Sequence, residues 1–149
     1  MKFEVCSLRL VRDRSIEYAE NYSLTSGQRI ADLMRDAFSA GDLPEEHLWL
    51  ICCDAQLHIR SIIEVSKGDS DSSLFPIKQI LKTALLSGAD RFIVCHNHPS
   101  GNVEPSKADI DNTKKLLKGA KLIELEFVEH VIVSYCNQNS LRMSTDLWR

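Results

Sequence analysis

The sequence predicts a single α/β domain in which a mixed β-sheet is flanked by about three helices. Two observations lead to this prediction. Three segments carry apolar residues at the three- and four-residue spacing of a helix, and short apolar or β-branched segments lie before and between them. The 149 residues, 44% of them apolar, suffice for one compact core and would crowd two. We expect the domain to span residues 26–149, with residues 1–25 as an N-terminal strand and connection that belong to it or pack on it.

The first part of the chain is predicted to contain a strand, a helix and a hairpin. Apolar residues alternate over residues 3–11, which favours an opening strand, although the alternation shifts its phase in the middle. Ser26 precedes an apolar stripe that predicts a helix ending near Gly41. Residues 47–54 and 57–66 are apolar and β-branched around a short polar link, so we expect them to form a β-hairpin.

The middle of the chain predicts a loop, a helix and a buried strand. Residues 68–73 are polar or glycine, as is typical of a loop. Pro76 can occupy the first turn of a helix that ends near Gly88, and residues 91–95 follow as a short apolar strand. This order is a helix, a strand, a polar loop and a further helix. It is typical of α/β proteins in which the functional site lies at the carboxyl end of the strand.

The last part of the chain predicts one more helix and the closing strands. The helix is expected from Ser106 to about Lys118. Residues 125–134 and 141–143 are expected to be strands, on either side of turn-like residues 137–140.

Composition, charge and cysteine usage exclude several classes of protein. The longest apolar runs, such as residues 48–53, are far too short to span a membrane, and the N-terminal segment lacks the apolar core of a signal peptide. The net charge of -3 argues against a protein that coats DNA through many basic contacts. The five cysteines include no C-x-x-C pair and are interpreted as buried free thiols. We expect a cytoplasmic protein without a membrane segment.

The most informative residues are two histidines in a loop rich in proline and glycine. Polar residues in such loops rarely belong to the hydrophobic core and more often belong to functional sites. His96 and His98 can both turn toward one point on an extended segment or bend, and Asp109 can supply a third ligand from the start of the next helix. Three protein ligands leave one position open on zinc, which usually holds a water that can become hydroxide near neutral pH. The pattern therefore predicts a hydrolytic zinc site.

The pattern Ser106-x-x-Asp109 also has a purely structural interpretation. It is a capping box, in which the serine caps the helix and the carboxylate reaches back to the serine backbone. On its own this pattern favours the cap, and the nearby histidines shift the interpretation toward a metal. Both roles can coexist, because a carboxylate has two oxygens and the serine can cap through a lone pair while its hydroxyl proton points elsewhere.

The spacing His96-x-His98, seven residues, then Ser106-x-x-Asp109 resembles the signature of the JAMM metalloproteases, whose domain is called JAB or MPN. The run His-Asn-His-Pro-Ser-Gly is similar to the bacterial RadC branch of that family. The resemblance covers residues 26–149 and implies a JAB/MPN-like, cytidine-deaminase-like α/β fold. RadC proteins often carry a helix-hairpin-helix region, for which this chain is too short. It therefore resembles the short members found in mobile elements and phage-like regions.

The resemblance implies that His96, His98 and Asp109 hold a zinc ion with water in the fourth position. Ser106 would donate a hydrogen bond to the developing oxyanion, a contribution of about 10²–10³ in rate for comparable donors. The expected reaction is the cleavage of a peptide or an isopeptide-linked protein substrate.

The resemblance also implies a catalytic glutamate from an earlier strand. Glu46 is the candidate, because it directly precedes an apolar run and could act as the general base on the water. Glu45 is its nearest rival, and the sequence does not rank Glu64 against it. His130 lies in a predicted strand and could orient a metal ligand through a hydrogen bond. A lone histidine in a strand is more often simply packed there, so we place His130 outside the site.

Two further classes of function are consistent with the sequence. DNA association is implied by the DNA-repair label of the family. Basic residues in and just after the helix predicted from Ser106 could follow a phosphate backbone, although such residues more commonly form a solvated surface. An interaction module without catalysis is also possible, and the intact ligand set argues against it. The basic residues are Lys107, Lys114, Lys115, Lys118 and Lys121.

Overall fold

The protein folds around one five-stranded mixed sheet. The computed structural model describes residues 1–20, 22–68 and 75–149. The strands are β1 (His47–Cys53), β2 (Ile59–Lys67), β3 (Arg91–Asn97), β4 (Glu126–Val133) and β5 (Gln138–Ser140), and the helices are α1 (Gly27–Phe38), α2 (Ile77–Leu86), α3 (Lys107–Leu122) and α4 (Leu141–Ser144). The strand order is β2-β1-β3-β4-β5, and β3 and β4 are parallel while the other neighbouring strands are antiparallel. The predicted α/β class is confirmed.

The sheet has a hydrophobic core on each face. Trp49 and Ile51 of β1 pack with α1, whereas Leu48 and Leu50 pack with α2 and α3. This division follows from the alternation of side chains along a strand. All seven residues of β1 are buried, because the strand lies inside the sheet with helices on both faces. The metal-site motif lies on the face covered by α2 and α3.

The predicted hairpin and main helices are confirmed. Strands β1 and β2 pair antiparallel, and the Asp54 carboxylate closes their turn by accepting hydrogen bonds from the N–H groups of Gln56 (2.8 Å) and His58 (2.9 Å). Ser26 caps α1 as expected, and α2 begins directly after Pro76. Helix α3 continues to Leu122, about one turn further than the sequence predicted. Of the predicted loop at 68–73, all residues except the first lie outside the described residues.

The predicted N-terminal strand is wrong. The described residues 1–18 form neither a helix nor a strand, and the side chains of Phe3, Val5, Leu8 and Val11 are exposed. A strand is stabilised by hydrogen bonds to a neighbouring strand and by burial of one face, and the alternating pattern alone supplies neither. The N-terminal segment contacts α1 at Arg14, whose guanidinium lies 5.7 Å from the centroid of the Phe38 ring, and at Tyr18, whose hydroxyl donates to Asp36 at 2.8 Å.

The C-terminal prediction also needs correction. The turn-like residues 137–140 contain the short strand β5, which pairs with β4, and the predicted strand at 141–143 is the start of helix α4. Ser140 begins this helix by accepting a hydrogen bond from the N–H of Met143 at 3.2 Å. A serine cap thus ends the strand, and the structure has a short fourth helix. None of the described helices has the length and apolar character needed to cross a bilayer.

Candidate metal centre

The three predicted metal ligands meet at the carboxyl end of β3. His96 is the sixth residue of β3, so the strand extends further into the motif than the sequence predicted. His98 follows the strand, and its N–H donates to the carbonyl of Val133 at 2.9 Å, which holds the chain beside the end of β4. Asp109 comes from the first turn of α3. The parallel pairing of β3 and β4, with α3 between them in sequence, brings the helix start to this edge.

The spacing of the ligand atoms fits a small metal ion. His96 Nε2 lies 2.9 Å from His98 Nε2 and 3.4 Å from Asp109 Oδ1, and His98 Nε2 lies 3.6 Å from Asp109 Oδ2. Ligand atoms in tetrahedral zinc coordination are roughly 3.3 Å apart, since each bond is about 2.0 Å long. One ligand atom from each of the three residues can be chosen so that all lie within 4.8 Å of one another. The group could therefore hold a metal, and nitrogen and carboxylate ligands suit zinc.

The hydrogen bond made by Nδ1 of His98 determines which ring nitrogen faces the other two candidate ligands. His98 Nδ1 lies 2.7 Å from the carbonyl oxygen of Asn102, which can only accept a hydrogen bond. Nδ1 therefore carries the hydrogen, and in the neutral ring Nε2 presents a lone pair to His96 and Asp109. Two ring nitrogens and a carboxylate converge here, and a cation would balance this set of acceptors.

Electrostatics favours the protonation states that a metal requires at His96 and Asp109, whereas at His98 it favours the protonated ring, whose proton a bound cation would replace. Burial lowers the pKa of His96 to about 4, so its ring is neutral at pH 7. Burial alone would raise the pKa of Asp109, but its contacts with His98, His96 and Ser106 outweigh burial and hold that pKa well below its usual range. The Asp109 carboxylate in turn raises the pKa of His98 against the effect of burial. A neutral imidazole and an ionised carboxylate are the metal-binding forms of these side chains.

Ser106 and Asp109 form the predicted capping box. Asp109 Oδ2 accepts hydrogen bonds from the backbone N–H and the hydroxyl of Ser106, both at 2.8 Å, while Ser106 Oγ accepts from the Asp109 N–H at 3.1 Å. The cap occupies Oδ2, and Oδ1 faces His96, so the two roles share the carboxylate as expected. The hydroxyl hydrogen of Ser106 does not point elsewhere, however, because it is donated to Asp109.

The three candidate glutamates lie in different surroundings. Glu46 precedes β1 by one residue, and strand alternation places it on the face of Leu48, which is also the face of the metal ligands. Its charge contributes to the raised pKa of His98. Glu45 forms an ion pair with Lys67 at 2.9 Å, and Glu64 contacts His47 Nδ1. Of these three carboxylates, Glu46 is the one whose charge acts on a residue of the His96, His98 and Asp109 group.

Asn97, between the two histidine ligands, fixes the backbone on both sides of Glu46. Its Oδ1 accepts a hydrogen bond from the N–H of His47 at 2.7 Å, and its Nδ2 donates to the carbonyl of Glu45 at 2.8 Å. Asn97 is 1% exposed, so water does not compete for these bonds. The strand that carries His96 therefore also holds the segment that carries Glu46.

Two residues that the sequence did not place in the site, His130 and Thr113, adjoin His96 in the structure. His130 Nε2 lies 2.8 Å from His96 Nδ1, so His130 contacts the site from which it had been excluded. Thr113 Oγ1 lies 2.7 Å from His130 Nδ1. The sequence feature that could have indicated His130 is its position in the otherwise apolar second half of β4, the strand that follows α3. Cys95, by contrast, packs in the core on the α1 face of the sheet, away from the candidate ligands.

The prediction that the cysteines are buried free thiols is correct for Cys52, Cys53 and Cys95 and wrong for Cys6 and Cys136, which are exposed.

Comparisons with known proteins match most of the chain. A family model described as a RadC-like JAB domain matches residues 24–146. The UPF0758 protein sll0766 of Synechocystis sp. is 35% identical over 104 residues, which cover 70% of this chain and 43% of the relative. A UPF0758 protein of Finegoldia magna is 32% identical over 123 residues, covering 83% of this chain and 54% of the relative. The chain spans about half the length of the curated relatives it matches.

Proposed function

The chain belongs to the RadC-like JAB domain family, and we propose that it is a zinc-dependent hydrolase acting on peptide or isopeptide bonds. The observation that carries this proposal is the convergence of His96, His98 and Asp109 at the carboxyl end of β3. Zinc bound by such residues acts as a Lewis acid and makes water nucleophilic near neutral pH. The resemblance to the JAMM metalloproteases supports the substrate class.

Glu46 and Ser106 would carry the remaining chemistry. Glu46 accepts a proton from the attacking water and returns it to the leaving amine, which requires an ionised carboxylate on the ligand face of the sheet. Ser106 donates its hydroxyl hydrogen to the developing oxyanion after that hydroxyl turns away from Asp109. The Ser106 N–H still bonds Asp109 Oδ2 when the hydroxyl turns, so the ligand carboxylate keeps its position.

Removal of the metal is expected to abolish hydrolysis. The zinc-loaded protein is tested on a pool of fluorogenic peptides and on a peptide joined to a lysine ε-amine. Treatment with EDTA should reduce cleavage to background, and one equivalent of Zn²⁺ should restore it. Mg²⁺ is the matched control and should not restore cleavage, because it prefers an octahedral set of oxygen ligands. Cleavage that survives EDTA, or no cleavage of either probe by the zinc-loaded protein, would contradict the proposal.

Exposed lysines on α2 and α3 favour DNA association as a second candidate function. The two helices pack against each other where Gly119 meets Leu81, so their outer surfaces are adjacent. Helix α2 carries no acidic residue, and α3 carries two, Asp111 and the candidate metal ligand Asp109. The chain nevertheless has a net charge of -3, so positive charge is concentrated here. The exposed lysines are Lys78, Lys82, Lys107, Lys114, Lys115, Lys118 and Lys121.

If this surface binds DNA, affinity should fall steeply as salt is added. Replacing Lys114, Lys118 and Lys121 by alanine should lower affinity for a short duplex and reduce the slope of log affinity against log salt by about 0.9 for each lost phosphate contact. The matched control replaces Lys2, Arg9 and Arg12, three exposed basic residues of the N-terminal segment, by alanine, and should change the affinity and the salt slope less. A flat salt response of the wild-type protein in fluorescence anisotropy would exclude this function.

A further inference from the structure

We propose that Thr113 and His130 form a buried hydrogen-bonded relay that places the proton of His96 on Nδ1 and so keeps Nε2 available to the metal. The inference rests on the proposed metal function, and it assigns two positioning residues that the motif does not contain. The relay starts at the backbone of one ligand, Asp109, and ends at the ring of another, His96.

The relay is continuous and almost completely shielded from water. Thr113 Oγ1 donates to the carbonyl oxygen of Asp109 at 2.6 Å and lies 2.7 Å from His130 Nδ1. His130 Nε2 lies 2.8 Å from His96 Nδ1. Thr113 and His130 are 0% exposed, and His96 is 1% exposed. Phe75 lies against the His130 ring, with centroids 5.3 Å apart, and helps to exclude solvent.

The direction of each hydrogen bond follows from the number of hydrogens available. A carbonyl oxygen cannot donate, so the single hydroxyl hydrogen of Thr113 goes to Asp109. Thr113 Oγ1 must then accept from His130, and the His130 hydrogen lies on Nδ1. Nε2 of the neutral His130 ring has a lone pair, so it accepts from His96 Nδ1. His96 Nε2 is left without a hydrogen, facing His98 and Asp109.

The opposite proton arrangement is unfavourable at both ends of the relay. With its hydrogen on Nε2, His130 would present a lone pair to the oxygen of Thr113 in a dry core, because that oxygen has already used its hydrogen. The neutral His96 ring would accept at Nδ1 and carry its hydrogen on Nε2, where no metal could then bind. A doubly protonated His130 would bury a charge without a hydrogen-bonded carboxylate.

The relay also connects the two elements that supply the ligands. Thr113 lies one helical turn after Asp109 on α3, and His130 is on β4 beside β3. The hydrogen bonds therefore hold the first turns of α3 in place relative to the strand that carries His96. Partners of this kind orient metal-binding histidines, and their loss typically lowers metal affinity about 10–100-fold.

Thr113→Val tests the relay, because valine keeps the branched shape of threonine and removes its hydroxyl. We expect zinc affinity, measured by competition with a chromogenic chelator, to fall about 10–100-fold. Thr83→Val is the matched control, since Thr83 is also a nearly buried threonine in a helix and lies on α2. This control should bind zinc as tightly as the wild-type protein. Folded Thr113→Val and His130→Gln proteins with wild-type zinc affinity would overturn the proposal.

A second measurement does not depend on metal binding. The ¹⁵N shifts of the His96 ring in the metal-free wild-type protein report which nitrogen carries the hydrogen, and we expect it on Nδ1. In Thr113→Val, the share of the ring with hydrogen on Nε2 should rise. A wild-type His96 ring with its hydrogen on Nε2 would overturn the relay even if zinc binds. A protein with hydrogen on Nδ1 that binds no zinc would retain the relay and contradict the proposed function.

Discussion

Near one zinc per chain is expected in the purified, metal-supplemented protein, and none in a variant with both His96 and His98 replaced by alanine. Two of the three ligands are then missing, and Asp109 alone is too weak a donor to retain the ion through purification. Elemental mass spectrometry of the two proteins measures this directly. The expected change, from full to negligible occupancy, is among the largest that the structure predicts.

The zinc measurement needs a control for folding and for the loss of histidine in general. His58 lies beside the hairpin turn and pairs with Asp54 at 3.1 Å, so His58→Ala removes a histidine away from the cluster and should leave zinc content unchanged. Circular dichroism establishes that the double variant is folded. No zinc in folded, metal-supplemented wild-type protein would contradict the proposed function, and a non-catalytic interaction module would become the preferred hypothesis.

Glu46→Gln is expected to lower hydrolysis by about 10²–10⁴-fold while zinc remains bound. Glutamine keeps the size of the side chain and removes its ability to accept a proton. Glu46 is not among the three ligands that converge, so metal content should not change. Initial rates with the isopeptide probe and zinc content, both measured on the same preparation, separate loss of chemistry from loss of metal.

The two neighbouring glutamates provide matched controls for this result. Glu45 is paired with Lys67, and Glu64 contacts His47, so Glu45→Gln and Glu64→Gln should retain most of the activity. Full activity in Glu46→Gln would refute its role as general base. If Glu64→Gln were the inactive variant instead, the role would pass to that residue and the inference from strand alternation would be wrong.

Much of the fold and of the candidate metal site could be predicted because the residue patterns that specify them lie within short segments of the chain. The spacing of apolar residues specifies α1, α2 and α3, since a helix places residues three and four apart on one face. Ser106 and Asp109 lie within one helical turn, so a single four-residue pattern encodes both the cap and a ligand. His96 and His98 are two residues apart, which predicts their proximity without knowledge of the fold.

The wrong predictions concern segments whose structure depends on pairing with a distant part of the chain. Residues 3–11 alternate as a strand does, but in the described structure no strand pairs with them. Residues 137–143 form a short strand and a helix because β4 supplies the pairing for Gln138–Ser140, and Ser140 then caps the following turn. The sequence of neither segment shows whether a neighbouring strand is available to pair with it.

The sequence by itself determined the α/β class, the main helices, the hairpin and the three candidate metal ligands. Only the tertiary structure decided the surroundings of those ligands. Asn97 holds the backbone on either side of Glu46 from 50 and 52 positions away, and His130 reaches His96 from 34 positions away. These contacts exist because β1 and β4 pair with opposite edges of β3, and the register of those pairs, rather than any spacing along the chain, sets which side chains meet.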